Sequence, residues 1–286
     1  MTTVATTALR QELESLGLAG LRGVGQVFFQ GNAITGALFL LGIAVGSPLM
    51  AAGGAVGAAI GTATAHLLKF DRDDIIAGIY GFNATLVGIA TFFFFRPGPV
   101  SVSLMIVGCI VATVLTRLAR RHVPFPTYTA PFIATTWALF FLGLAMGADR
   151  PEAAAPGDPS RFPWSFEAVA NGVGQVMFQG GVWTGVLFLI GIAVSDRRHA
   201  AWVLAGSVVG MLVAYFHASA TERLLDPESL IERPLYDSIA LGLYGYNACL
   251  SAVALSLWRR SIFPPLVGMF LAVLLADLLP LARVPA

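Results

Sequence analysis

An all-α polytopic membrane protein built from two related halves is the fold class this sequence predicts, on three observations. Of 286 residues, 57% are hydrophobic and only 12% charged, with a mean hydropathy of +0.78. That leaves too little polar side chain to coat a water-soluble globule. Long apolar runs at Ala33–Gly46, Pro48–Leu68, Val100–Leu118, Thr129–Gly147 and Ala200–Phe216 read as bilayer crossings, because about 20 apolar residues in helix span the hydrocarbon core. Finally, Gly23–Val45, GVGQVFFQGNAITGALFLLGIAV, returns 149 positions later at Gly172–Val194 as GVGQVMFQGGVWTGVLFLIGIAV, identical at about 17 of 23 positions. A second cassette, GIYGFNATL at Gly78–Leu86, returns as GLYGYNACL at Gly242–Leu250, offset by 164. A repeat of this length is a half-protein duplication, too long for a solenoid period. The expected organisation is a first repeat over 1–147, a polar linker over 148–165 and a second repeat over 166–286.

Taken in order, residues 1–22 carry Arg10, Glu12 and Glu14 among Ala and Leu. They read as an amphipathic surface helix, with no cleavable signal peptide. Gly23–Gly31 is too rich in glycine for a helix centre, and Thr35–Gly46 resumes helical character. Pro48 restarts the chain; Gly53, Gly54, Gly57 and Gly61 follow at helical spacing, which lets helices approach closely inside a membrane. Asp71, Asp73 and Asp74 suit a helix N-terminus. Only about ten residues separate them from the Gly81-Phe82-Asn83 break, so Asp71–Gly81 reads as a re-entrant half-helix, and Asp237–Gly245 takes the same place in the second half. Non-helical backbone at membrane depth persists only where it is buried or lines a cavity. Paired breaks in two halves therefore point to a transport site.

Further spans are expected at about Ala84–Phe95, Pro99–Leu118 and Thr129–Gly147, then at Val182–Val194, His199–Ala218, Ala248–Trp258 and Phe263–Leu281. Each complete half thus has about five transmembrane helices plus one re-entrant pore half-helix. An odd number of crossings makes the two repeats run in inverted topology. With the N-terminus cytoplasmic, eleven Lys and Arg fall inside (Arg10, Arg22, Lys69, Arg72, Arg117, Arg120, Arg121, Arg197, Arg198, Arg259, Arg260) and six outside (Arg96, Arg150, Arg161, Arg223, Arg233, Arg283). That bias follows the positive-inside rule.

The paired cassettes supply Gln26 with Gln175, Phe29 with Phe178, Phe82 with Tyr246, Leu86 with Leu250, and Asn83 with Asn247. No repeated acidic or basic residue sits mid-span, although ion-coupled transporters use such a charge as their coupling element. A neutral lining of amides, aromatics and hydroxyls suits passive movement of a small uncharged polar solute. Paired rings would select a flat molecule, and oxygens would accept its N–H groups. Cys109 and Cys249 lie in apolar segments without partner spacing and read as small buried residues. No nucleophile, base or metal cluster is visible, so an enzyme is not expected, nor a metal, a cofactor or a nucleic-acid partner.

These residues, in this order, resemble the urea transporter family, from about Gly23 to the end. The motifs that carry the resemblance are GVGQVFFQGN with TGALFLLGI, DIIAGIYGFNATLVGI, and VPFPTYTAPFIATTW at Val123–Trp137. The resemblance implies a homotrimer in the bacterial inner membrane with one pore per protomer and no energy coupling. Urea would pass in single file between Phe rings and a ladder of oxygens. Carried over by position, Gln26 and Gln175 fall near the two ends of the filter, flanked by Val27 and Val176. Phe29 and Phe178 fall on ring positions, Phe82, Leu86 and Leu250 on the lining beside the breaks, and Thr129 on the hydroxyl of the central site. The chain departs from the pattern in three places. Tyr246 stands where Phe is usual, and Gln175 is neutral where some members carry Glu. The chain stops at Pro285-Ala286, before a second P-x-x-T-x-P-F cassette and final span, so the expectation is either a further C-terminal segment of about 20–30 residues or a truncated member of the family.

Other roles stand beside these. Each Gln could join helices by hydrogen bonding, worth about 0.6–2 kcal/mol in a membrane. Phe92–Phe95 suits lipid-facing packing, His66 and His217 structural roles, and Asp73, Asp74 and Asp237 helix caps. Glu222, Asp226, Glu228 and Glu232 belong to a second-half insertion that could shape a vestibule or a subunit contact. The rival functions are a channel for another small neutral solute, such as ammonia, water or a short amide, and a non-transporting membrane scaffold or sensor. No Asn-Pro-Ala pair marks a water channel.

Overall fold

Helix ends dictate this architecture more than helix interiors do. In a computed structural model, residues 2–152, 165–224, 234–258 and 261–278 are described; the side chains of 2–9, 219–224, 234–236 and 277–278 are not. The chain divides into two compact units, Met1–Ala153 and Ala154–Ala286. Among the described residues every regular element is helical.

In the first unit α1 (Thr2–Gly25) runs on through the glycines that the sequence suggested would interrupt it. A single 3₁₀ turn, Gln26–Phe28, then closes it. The Phe29 N–H donates to the Gln26 carbonyl at 2.9 Å and the Gln30 N–H to the Gly25 carbonyl at 3.0 Å. This is a Schellman closure with phenylalanine, φ 60°, at the left-handed position that glycine usually fills. Asn32 starts α2 (Ala33–Gly46) by accepting from the N–H groups of Ile34 and Thr35 at 2.8 and 3.3 Å. The result is a bend of 73° between the two helices. Ser47, followed by Pro48 at the first helical position, caps α3 (Pro48–Leu67).

Asp71 caps α4, which spans only Arg72–Ile76. The expected ten-residue half-helix is thus one short helix plus a turn, because Gly78, φ 83°, closes it early. Helices α5 (Phe82–Phe94), α6 (Pro99–His122) and α7 (Ala130–Ala145) complete the unit. The glycine stripe of α3 lies on α5: a Cβ at Gly53 would sit 2.5 Å from the Gly88 carbonyl oxygen, and one at Gly61 2.8 Å from the Ala84 Cβ. Val87, Leu104, Met105, Cys109 and Leu139 form the buried core between α5, α6 and α7.

The second unit follows this order as far as the counterpart of α6, with α8 (Phe166–Gly174), a 3₁₀ turn at Gln175–Met177, α9 (Val182–Ser195), α10 (Arg197–Leu224), α11 (Pro234–Ala240), α12 (Tyr246–Trp258) and α13 (Phe263–Leu278) among the described residues. The α8–α9 bend is 70°. Phe178 repeats φ 60° with the same closing bonds, and Gly242, φ 80°, answers to Gly78. Cys109 and Cys249 are free and buried.

Among the described residues three helices are long and apolar enough to cross a membrane, Pro48–Leu67, Pro99–His122 and Arg197–Ala218, or up to five if each bent pair is one span. Four further apolar helices are shorter than a full crossing. The chain is therefore an integral, all-helical membrane protein. Several expectations lie outside the described side chains: the acidic insertion with Glu222, Asp226, Glu228 and Glu232, the arginines Arg161, Arg223, Arg233, Arg259, Arg260 and Arg283, and the terminus at Pro285-Ala286.

Candidate functional site

A cavity of about 410 Å³ opens in the first unit where the Gln26 turn, the start of α5 and the segment after α6 converge. Gln26 and Phe29 contribute one wall, Ile79 and Phe82 a second, and Thr116, Arg120 and residues Val123–Tyr128 the third. Phe29 meets Tyr128 edge to face, ring centroids 5.3 Å apart at 78°. Among the described residues four non-glycines have positive φ: Phe29, Lys69, Tyr128 and Phe178. Two of them line this cavity and a third, Phe178, is the counterpart of Phe29. Left-handed backbone on a bulky L-residue costs roughly 1–2 kcal/mol, and such strain gathers at ligand-handling sites. Here it turns two rings toward one space.

The Gln26 amide nitrogen donates to the Ala77 carbonyl at 2.9 Å. That bond ties the end of α1 to the turn after α4 and leaves the side-chain oxygen as an acceptor. The Gln175 amide donates to the Leu241 carbonyl at 3.0 Å. Leu241 corresponds to Ala77 in the repeat, so each unit holds its glutamine by the same bond. Neighbouring bonds repeat as well: Arg22 donates to the Ile76 carbonyl at 2.9 Å, and Asn171, its counterpart, to that of Ala240 at 2.9 Å. Gln30 and Gln179 turn inward to the carbonyls of Phe28 and Met177.

Phe82, the first residue of α5, lines the cavity half-buried, whereas Val27 and Leu86 sit in packed interior, each 2% exposed and outside the lining. Thr129 adjoins Tyr128 at the start of α7 and is half-buried, also outside the lining. In the second unit Val176 is buried, and Gln175, Phe178, Tyr246 and Leu250 are half-buried.

Asn83 is fully buried and its amide is consumed structurally. It donates to the Thr116 hydroxyl at 2.8 Å and weakly to the Tyr128 carbonyl at 3.4 Å, and it accepts from the Phe132 N–H at 3.2 Å. Sequence reasoning missed Tyr128, Ile79, Thr116 and Arg120 as lining residues; the Pro124 and Pro126 pair flanking TYTAPF was the available signal for a rigid wall. Asp71, rather than Asp73 or Asp74, caps α4, and Asp74 instead pairs with Arg120 at 2.8 Å. His66 lies 3.6 Å from Glu12, half exposed, in a structural contact.

Residues 18–226 match the family model described as urea transporter. Curated relatives include urea transporter 1 of Mus musculus, 29% identical over 254 residues, and of Rattus norvegicus, 30% identical over 255. Urea transporter 1 of Ovis aries is 28% identical over 260. Each alignment covers 82% of this chain and 61% of the relative, so the chain spans about 61% of the length of the relatives it matches. With the family model covering most of the sequence, and with a membrane-type helical fold, this chain belongs to the urea transporter family.

Proposed function

We propose that the chain conducts urea passively across a membrane, through a narrow path that the Gln26–Phe29 turn helps to line. Family membership supports urea as the solute. The observation that carries the mechanism is the committed amide of Gln26. With its N–H₂ held by Ala77, the residue presents an acceptor beside the edge-to-face rings of Phe29 and Tyr128. Urea is planar with four N–H donors, so rings can face its plane while oxygens accept at its edges. A neutral amide lining needs no coupled ion. Gln175 and Phe178, with Tyr246 and Leu250 beside the second break, serve the matching place in the second repeat. Val27, Val176, Leu86 and Thr129 support the filter from its flanks. The two repeats run in opposite directions through a bacterial inner membrane, with the N-terminus cytoplasmic. Three protomers assemble, each with its own path; the odd crossing number and the family resemblance support these assignments.

Stopped-flow urea efflux from proteoliposomes tests this. Gln26→Ala and Gln175→Ala should each lower urea permeability about two- to tenfold, the worth of one hydrogen bond, while membrane insertion is kept. Unchanged flux in both variants removes the glutamines from the filter. No urea flux in the correctly inserted parent chain rejects urea conduction, and water or ammonia flux in the same vesicles would then identify the neutral solute that replaces it.

A further inference from the structure

Arg120 is the one charged residue lining the cavity among the described residues, and it does not face the space alone. Its guanidinium donates to both carboxylate oxygens of Asp74 at 2.8 Å. The two residues sit on different elements, and Asp74 itself lies behind the lining. Asp74 sits in α4, two and three residues before the Ile76 and Ala77 carbonyls that anchor Arg22 and Gln26. Arg120 sits in the last turn of α6, directly before the Val123–Tyr128 wall. Buried Tyr80 reinforces the contact from beneath: its hydroxyl donates to Asp74 at 3.4 Å and accepts from Arg117 at 3.2 Å. Arg117 in turn lies over the Phe70 ring, 5.5 Å from its centroid, and Phe70 packs on Tyr80 at 5.1 Å.

From this geometry we propose that Asp74 and Arg120 are a positioning pair that sets the width of the cavity mouth. The pair ties the Val123–Tyr128 wall to the turn holding Gln26 and keeps the lining electrically neutral. The proposal rests on urea conduction for its physiological meaning but not for its test. The role proposed for the pair is positional: Arg120 Nη2 is committed to both carboxylate oxygens. Both side chains are partly exposed, 44% and 23%, so the clamp is screened by salt and its effect is modest. A tether of this kind shifts mouth opening by about two- to fivefold, enough to change which solutes enter without changing the fold.

Two readouts on reconstituted protein decide the matter. One is the permeability ratio of urea to the bulkier N,N′-dimethylurea. The other, independent of transport, is the rate at which a water-soluble thiol reagent modifies a cysteine introduced as Thr127→Cys; native Cys109 and Cys249 are fully buried. The double variant Asp74→Asn with Arg120→Gln removes the clamp and stays neutral. It should lower the urea preference and speed modification, each about two- to fivefold. The exchanged pair, Asp74→Arg with Arg120→Asp, should restore both, and 1 M salt should mimic the double variant in the parent. Equal modification rates in parent and double variant overturn the proposal, as does failure of the exchange to restore them. If the parent carries no urea, the functional assignment fails and the modification rates still decide the clamp.

Discussion

Asn83 has every polar atom engaged, to Thr116, Tyr128 and Phe132, and its full burial makes those bonds expensive to break. Asn83→Leu removes the bond to the Phe132 N–H, and deleting one partner of a buried hydrogen bond costs about 1–3 kcal/mol. With the Thr116 bond also lost, the change should destabilise the protein by roughly 2–4 kcal/mol, read as a lower melting temperature in detergent. Asn247→Leu, at the half-buried matching position, should cost less. The two asparagines look alike in sequence, and nothing in GFNATL against GYNACL reveals that one is an internal brace. The same ambiguity separates Gln26 from Gln30. Both stand in QVFFQ, yet one lines a cavity and the other bonds inward to Phe28. Side-chain direction there depends on φ 60° at Phe29, which no apolar pattern encodes.

At the scale of elements, the apolar runs located the helices well. Ala33–Gly46 was legible to the residue, and Pro48 and Pro99 marked helix starts because proline fits the first turn. Helix ends were less legible. The Schellman closures at Phe29 and Phe178 use phenylalanine where a reader looks for glycine, so the end of α1 was expected too early. A close helix approach at α3 was legible, since its glycines stand at helical spacing, but nothing in the spacing names α5 as the partner. A Cβ at Gly57 would collide with the Ala84 carbonyl oxygen. Inside a bilayer these helices associate through packing and not through exclusion of water, so lost contact is not regained elsewhere. Gly57→Leu should therefore destabilise the unit by about 1–3 kcal/mol, while Ala55→Leu, on the exposed face of the same helix, should be nearly neutral; melting of the two variants in detergent compares them.

For the whole molecule, the duplication was the most informative feature of the sequence, and its local consequences recur in detail. The glutamine-to-carbonyl bond, the left-handed phenylalanine and the positive-φ glycine after the short helix, Gly78 and Gly242, recur in both units. Crossing number is less legible, because bent pairs and short apolar helices satisfy no simple length rule. The proposed inverted arrangement makes a directional prediction. In right-side-out vesicles, a membrane-impermeant maleimide should label Ser47→Cys, between α2 and α3, and should reach Asp196→Cys, the matching position before α10, only after the membrane is opened. Labelling of both from the same side would reject the inverted arrangement.

The handedness at residues 29 and 178 also bears on how such a sequence can drift. Phenylalanine codons lie one base from those of leucine, isoleucine, valine, serine, tyrosine and cysteine. β-Branched isoleucine and valine are the residues least able to occupy left-handed backbone, so two of the apolar one-step neighbours are closed at these positions by backbone sterics before any question of ring chemistry arises. At Phe28, in the adjoining 3₁₀ turn and fully buried, the same codon steps are limited by volume instead. Adjacent identical letters in QVFFQ therefore sit under different evolutionary constraints, one set by space and the other by the hand of the chain.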